Sequence, residues 1–187
     1  NVYIKKQHLE KLDFEFEIAI VICKEGENID YKDADEYIGG YMIMNDWSAR
    51  AMQMKEMKLN LGPAKGKDFA TSIGPYLVTK DELEDKKIVS NDGVRYDLEM
   101  KGYINNELVT SDNFKNMTWS FSKIIERVSY GTKLFPGDII GSGTCATGCF
   151  LELNYQNNKE NWLKNGDKVC LTVDSLGSLQ SKICLID

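Results

Sequence analysis

The sequence predicts a mainly β domain with a few helices, an α+β chain whose strands form a sandwich or a rolled sheet. Three observations predict it. Apolar residues fall mostly in short runs that alternate or turn continuously apolar over strand length, as in "DFEFEIAIVIC" at 13–23. Few stretches carry a helical period. Turn formers such as "NNE", "PGD", "NGD" and "SLGS" separate the runs.

Taken in order, residues 13–23 read as one strand passing from a rim into a core. "DADEYIGG" reads as a short helix closed by Gly39 and Gly40, and "YMIM" as a short buried strand. A helix opened by Asn45 or Asp46 follows, then a Gly- and Lys-containing loop, "LGPAKGKDFATSIGP", at 61–75. "YLVT", "RYDLEMKGYIN" and "ELVTS" read as strands, the last two joined as a hairpin. "MTWSFSKIIERVSYGT" at 117–132 has helical periodicity and ends at a glycine. "DIIGSG", "CFLELNY", "DKVCLTV" and "LQSKICLID" return to strand. No repeat, linker or low-complexity segment interrupts the chain, so we expect one domain over 1–187.

Composition narrows the function classes. With 42% hydrophobic and 28% charged residues, the 187-residue chain can build a sizeable core. A formal net charge of -6 without a basic run argues against nucleic acid or an anionic membrane as the partner. No apolar stretch has the length of a membrane span and no signal peptide is visible. The odd, scattered cysteines (Cys23, Cys145, Cys149, Cys170, Cys184) fit reduced thiols and a cytoplasmic location better than a disulfide framework. Cys145 and Cys149 lack the second Cys or His pair that structural zinc needs. His8, the one histidine, stands in a polar lead-in with no orienting group, so it reads as a surface residue rather than a catalytic base. The chain opens on "NVYIKK" rather than Met, and we expect it to lack an upstream N-terminal segment.

Two constellations carry chemistry. In a helix begun at Asn45 or Asp46, positions 46, 50 and 53 fall within a sector about 60° wide, so Asp46, Arg50 and Gln53 share one face. The plain alternative is an N-cap with an i,i+4 ion pair on the surface. Glu15 and Glu17 stand two apart in a strand, on one face with Cβ atoms roughly 6.5–7 Å apart, while Phe14, Phe16 and Ile18 take the other. Paired carboxylates repel unless a proton or cation relieves them, and a hard divalent ion prefers such oxygens, with Asp46 as a third. Two exposed acids on an edge strand would show the same spacing.

"LDFEFEIAIVI", "YMIMNDWSAR", "GPAKGKDFATSIGPYLVT" and "LFPGDIIGSGT", in this order, resemble the C-terminal catalytic domain of the fumarylacetoacetate hydrolase family over nearly the whole chain. The resemblance implies the family's mixed β-sandwich roll. It implies a divalent metal ion, Mg2+ foremost with Mn2+ or Ca2+ as alternatives, held by Glu15, Glu17 and Asp46 with Lys67 and Thr71 beside it. It assigns Arg50, Gln53, Lys67 and Thr144 to the substrate, and Arg50, Lys67 and Glu152 to catalysis, Glu152 as part of the water-activating pair. The implied partner is a small 2-oxo or diketo acid, and the implied assembly a homodimer.

The implied reaction is hydrolysis of a carbon-carbon bond in a fumarylacetoacetate-like or acylpyruvate-like diketo acid through a metal-stabilised enolate. The family's catalytic histidine lies upstream of the Glu-x-Glu strand, and His8 stands too close to Glu15 to replace it. Met57 and Ala51 also depart from the family pattern, where Tyr and an acidic residue are usual. "GTCATGCFLEL" resembles the fumarylacetoacetate branch more than the acylpyruvase branch. Decarboxylation, hydration or dehydration of a 2-oxo acid, and a metal-binding remnant without turnover, remain as alternatives.

Overall fold

The computed structural model describes residues 1–186. Its strands are β1 (Val2–Lys5), β2 (Leu12–Asp13), β3 (Phe16–Ile22), β4 (Gly26–Glu27), β5 (Ile38–Asp46), β6 (Ser48–Ala49), β7 (Thr71–Val78) and β8 (Lys87–Ser90). They continue with β9 (Gly93–Tyr96), β10 (Glu99–Ile104), β11 (Glu107–Asn113), β12 (Lys133–Leu134), β13 (Ile139–Gly141), β14 (Lys168–Val173) and β15 (Gly177–Ile186). Three α-helices interrupt them: α1 (Arg50–Glu56), α2 (Phe121–Val128) and α3 (Phe150–Asn157). The mainly β, α+β class read from the sequence is the class observed.

Two sheets carry the domain. One is five-stranded in the order β1-β15-β14-β10-β11, the other four-stranded in the order β13-β3-β5-β7. Only β1 runs parallel to its neighbour; the other pairings are antiparallel. The sheets meet through β3, whose Phe16, Ile18, Ile20 and Ile22 are buried with Met100, Leu171, Val173 and Ile183 of the larger sheet in one core. Burying each such side chain contributes about 1.5–3 kcal/mol. Gly102 on β10 marks how close the layers come: a Cβ there would lie 3.6 Å from Phe16 and 2.6 Å from Thr110. Along β3 every residue but Val21 is buried, so side chains on both faces are covered, which matches a sequence that becomes wholly apolar after Glu17.

Several elements differ from expectation, each for a local reason. The run 13–23 breaks at Phe14 and Glu15, because side chains take their amides: Phe14 N–H donates to Asp13 Oδ1 and Glu15 N–H to Asn45 Oδ1. "DADEYIGG" makes only a 3-10 turn at Ala34–Tyr37, and Gly39 and Gly40 belong to β5. A Cβ on Gly40 would lie 2.8 Å from the Val78 carbonyl oxygen, so this glycine serves strand approach, not helix termination. The strand before the second helix extends through Asp46, which pairs with Thr71, and α1 starts only at Arg50. Ala49 holds the N-cap without a side-chain bond; the Ala49 and Arg50 amides donate instead to the carbonyls of Gly66 and Lys11. "CFLELNY" is helix α3 rather than strand: the Asp13 carboxylate accepts its first two amide hydrogens, from Phe150 and Leu151. At 117–132 only Phe121–Val128 is α-helical, opened by the Ser120 hydroxyl, which accepts from Lys123 N–H.

The hairpin between β10 and β11 is as read, with Asn105 and Asn106 at φ of 51° and 72° in the turn. Among the described residues no helix is long and apolar enough to cross a membrane.

Candidate metal centre

The register of β3 against β5 builds the site. Phe16 pairs with Asn45 and Glu17 with Met44, and Asp46 N–H donates to the Glu15 carbonyl. Glu15, Glu17 and Asp46 therefore emerge side by side, and one carboxylate oxygen from each lies within 4.8 Å of the others. Glu17 is the deepest, 4% exposed. Gly141 on β13 leaves room for it: a Cβ there would lie 2.5 Å from Glu17 Oε2. The Gly143 amide then donates to that oxygen at 3.0 Å.

Two cations lean on the cluster. Lys67 Nζ lies 2.6 Å from Glu15 Oε2 and 2.9 Å from Asp46 Oδ2. Arg50 Nη1 lies 2.8 Å from Glu15 Oε1 and donates to Gln53 Oε1 at 2.9 Å, while its Nε donates to Asp13 Oδ2 at 2.9 Å. Arg50 and Gln53 are neighbours on α1, as the helical spacing indicates, but Asp46 joins them from a strand end and makes no ion pair with Arg50.

Positive charge is short here. Burial pushes the Glu17 carboxyl up, the neighbouring Glu15 and Asp46 push it further, and it reaches about 7. Burial acts the same way on Glu15, but the hydrogen bonds and charge of Lys67 and Arg50 outweigh it and hold that carboxyl below its usual value. Three converging acids, one of them poised to give up a proton near neutrality, fit a hard divalent cation with oxygen ligands.

The remaining expected residues are placed less uniformly. Thr71 stands opposite Asp46 in the sheet, exposed to solvent. Thr144 is on the wall of a cavity of about 310 Å³ shared with Asp112, Asn116 and Trp119, which none of the three carboxylates lines. Glu152 is exposed on the first turn of α3 and accepts the Thr147 amide hydrogen at 2.6 Å, so the structure does not draw its carboxylate into the cluster. His8, read as a surface residue, is half-buried and stacks on Phe69 with ring centroids 4.4 Å apart. Burial pushes the Cys149 thiol up to about 11, so it is no ready nucleophile.

Two residues outside the sequence-expected set hold parts of this site in place. Asp13, fully buried, belongs to the same alternation as Glu15 and Glu17. Glu56 accepts the amide hydrogens of Ala64, Lys65 and Gly66 and so pins the loop that delivers Lys67; no spacing rule points to it.

The family described as fumarylacetoacetate (FAA) hydrolase C-terminal matches residues 2–184. The chain belongs to this family. Within the fumarylacetoacetate hydrolase family it is 34% identical to a fumarylacetoacetase of Oryza sativa subsp. japonica over 199 residues, covering 87% of this chain and 46% of that protein. It is 32% identical to an oxaloacetate tautomerase of Bacillus subtilis over 183 residues, covering 96% of this chain and 56% of the relative. The solved structure of a probable 2-hydroxyhepta-2,4-diene-1,7-dioate isomerase from Mycobacterium abscessus superposes with a TM-score of 0.80 at 28% identity, covering 100% of this chain and 64% of the other. The chain thus spans about half the length of the curated relatives it matches.

Proposed function

We propose that this chain is the metal-binding catalytic domain of an enzyme that hydrolyses a carbon-carbon bond in a fumarylacetoacetate-like or acylpyruvate-like diketo acid. The observation that carries the reading is the meeting of Glu15, Glu17 and Asp46, one carboxylate oxygen of each within 4.8 Å of the others, with Lys67 and Arg50 both against the Glu15 carboxylate. Glu15, Glu17 and Asp46 would hold a divalent ion, Mg2+ by preference, with Mn2+ and Ca2+ in the same oxygen-seeking class. Such an ion supplies Lewis acidity toward two adjacent substrate oxygens.

The chain's own groups do the rest. Lys67 Nζ and the Arg50 fork are preorganised cationic donors for the oxygen on which negative charge develops. Gln53 steadies Arg50 and offers its amide to the substrate. In hydrolysis, water adds to the distal carbonyl, the bond to the central carbon breaks, and its electron pair becomes the enolate of the departing oxo acid, a 2-oxo acid where the substrate is an acylpyruvate, which takes up a proton at that carbon. Glu152 is the proposed partner in activating the water, and Thr144 the proposed contact to the substrate carboxylate. The proposed assembly is a homodimer.

A second reading keeps the enolate without the cleavage. The Glu152 carboxylate is engaged by the Thr147 amide, outside the acidic cluster, which favours enol-keto interconversion of a 2-oxo acid. The Bacillus subtilis relative, named as an oxaloacetate tautomerase, is consistent with it.

One assay separates them. Acylpyruvates and oxaloacetate are followed by enol absorbance with Mg2+ or Mn2+ and then with chelator, and products are identified. Chelator-sensitive release of two acids supports hydrolysis, and enol loss without cleavage supports tautomerisation. Neither reaction with any substrate of the panel would reject both readings for this chain.

A further inference from the structure

Asp13 takes no part in the reaction drawn above, yet it is fully buried and makes four hydrogen bonds. Its Oδ1 accepts from the amides of Phe14 at 2.9 Å and Phe150 at 2.7 Å. Oδ2 accepts from the Leu151 amide at 3.0 Å and from Arg50 Nε at 2.9 Å. That fills the acceptor capacity of a carboxylate. One side chain thereby joins the first residue of α1 to the first turn of α3, two helices far apart in the chain.

The consequence for Arg50 follows from its planarity. Nε is held by Asp13 and Nη1 by Glu15 and Gln53, and two anchored corners of a rigid fork fix the third. That third corner, Nη2, is buried with no acceptor. A donor left so is unfavourable unless a ligand oxygen meets it.

We propose that Asp13 is a positioning residue: it orients the Arg50 guanidinium so that Nη2 is kept for an oxygen of the bound 2-oxo acid, and it ties that donor to the start of α3, where Glu152 stands. The inference rests on the reading of Arg50 as a substrate ligand. A neutral asparagine at 13 would keep the shape but replace one acceptor oxygen by an N–H2, so two of the four donors lose their acceptor and the charge that holds the Arg50 fork is gone.

The probe is oxalate, whose two adjacent oxygens imitate an enolised 2-oxo acid, titrated calorimetrically into the full chain saturated with Mg2+. Asp13→Asn and Arg50→Met should each weaken oxalate binding by about tenfold or more, and the double variant should bind no more weakly than Arg50→Met alone. Additive losses, or wild-type affinity in Asp13→Asn, would overturn the inference.

Should Asp13→Asn fail to fold, 15N NMR of the wild-type protein decides. The Arg50 Nε–H signal, identified by its absence from Arg50→Met, should exchange slowly with solvent before and after oxalate is added, and the Nη2 proton signals should shift when oxalate is added. A rapidly exchanging Nε–H would refute the positioning role. Wild-type protein that binds Mg2+ but not oxalate would refute the reading of Arg50 and this inference together; oxalate binding with additive losses would refute the inference alone.

Discussion

Lys67 Nζ stands 2.6 Å from Glu15 Oε2, an ammonium held against a carboxylate that also touches Arg50. Lys67 therefore partly neutralises the acidic cluster while remaining a donor at its mouth. Lys67→Met should lower kcat on the productive substrate by about 10²-fold or more, the usual loss for one oxyanion donor. Mg2+ affinity, measured by calorimetry, should hold or rise, since a competing cation is removed. A variant that kept wild-type kcat would show that Lys67 is only a counter-ion.

The buried Glu17 carboxyl sets a pH dependence of stability in metal-free protein. Its value of about 7 in the folded chain, against the usual 4.5, means the folded state holds this proton more tightly than the unfolded one. The contribution is full below pH 4.5 and is lost as pH rises through about 7. The loss is on the order of 3 kcal/mol. Urea unfolding in chelator at pH 5 and pH 8 should show wild type losing about that much relative to Glu17→Gln, in which the titration is absent. Equal losses in both proteins would mean that Glu17 titrates normally.

Gly141 tests the shape of the cluster. Alanine there would set its Cβ 2.5 Å from Glu17 Oε2 and 3.1 Å from Met44 Sδ, so the carboxylate must move. Gly141→Ala should weaken Mg2+ binding by about tenfold, in the range seen when groups supporting metal ligands are lost. Unchanged affinity would place the ion elsewhere.

Glu56 tests the loop that brings Lys67. Its carboxylate gathers three consecutive amides, from Ala64 to Gly66, and a Cβ on Gly66 would meet the Gln53 backbone nitrogen at 2.8 Å. Glu56→Ala should speed hydrogen exchange at those three amides and lower kcat, with Mg2+ affinity little changed. Persistent protection at residues 64–66 would show the loop is held by other contacts.

Much of this was legible in the chain. The two-residue spacing of Glu15 and Glu17 survives as a shared face because β3 follows at once, and the Asp46 turn meets them through the β3–β5 register. The helical order of Arg50 and Gln53 was legible too. What was hidden depended on distant partners. Asp46 reads as a helix N-cap because nothing local shows that β7 pairs with it through Thr71. "CFLELNY" alternates like a strand, and only Asp13, far away in sequence, supplies the acceptor that starts a helix there. Glu56 is not legible in the sequence, because a carboxylate that caps a loop leaves no period.

Calorimetric titration of Mg2+ and Mn2+ into wild type and Glu17→Ala tests the acidic cluster most directly. One ion should bind per wild-type chain, and Glu17→Ala should lose that binding or weaken it by about 100-fold, since one of three protein ligands is gone. Glu17→Ala that binds either ion as tightly as wild type would contradict the site.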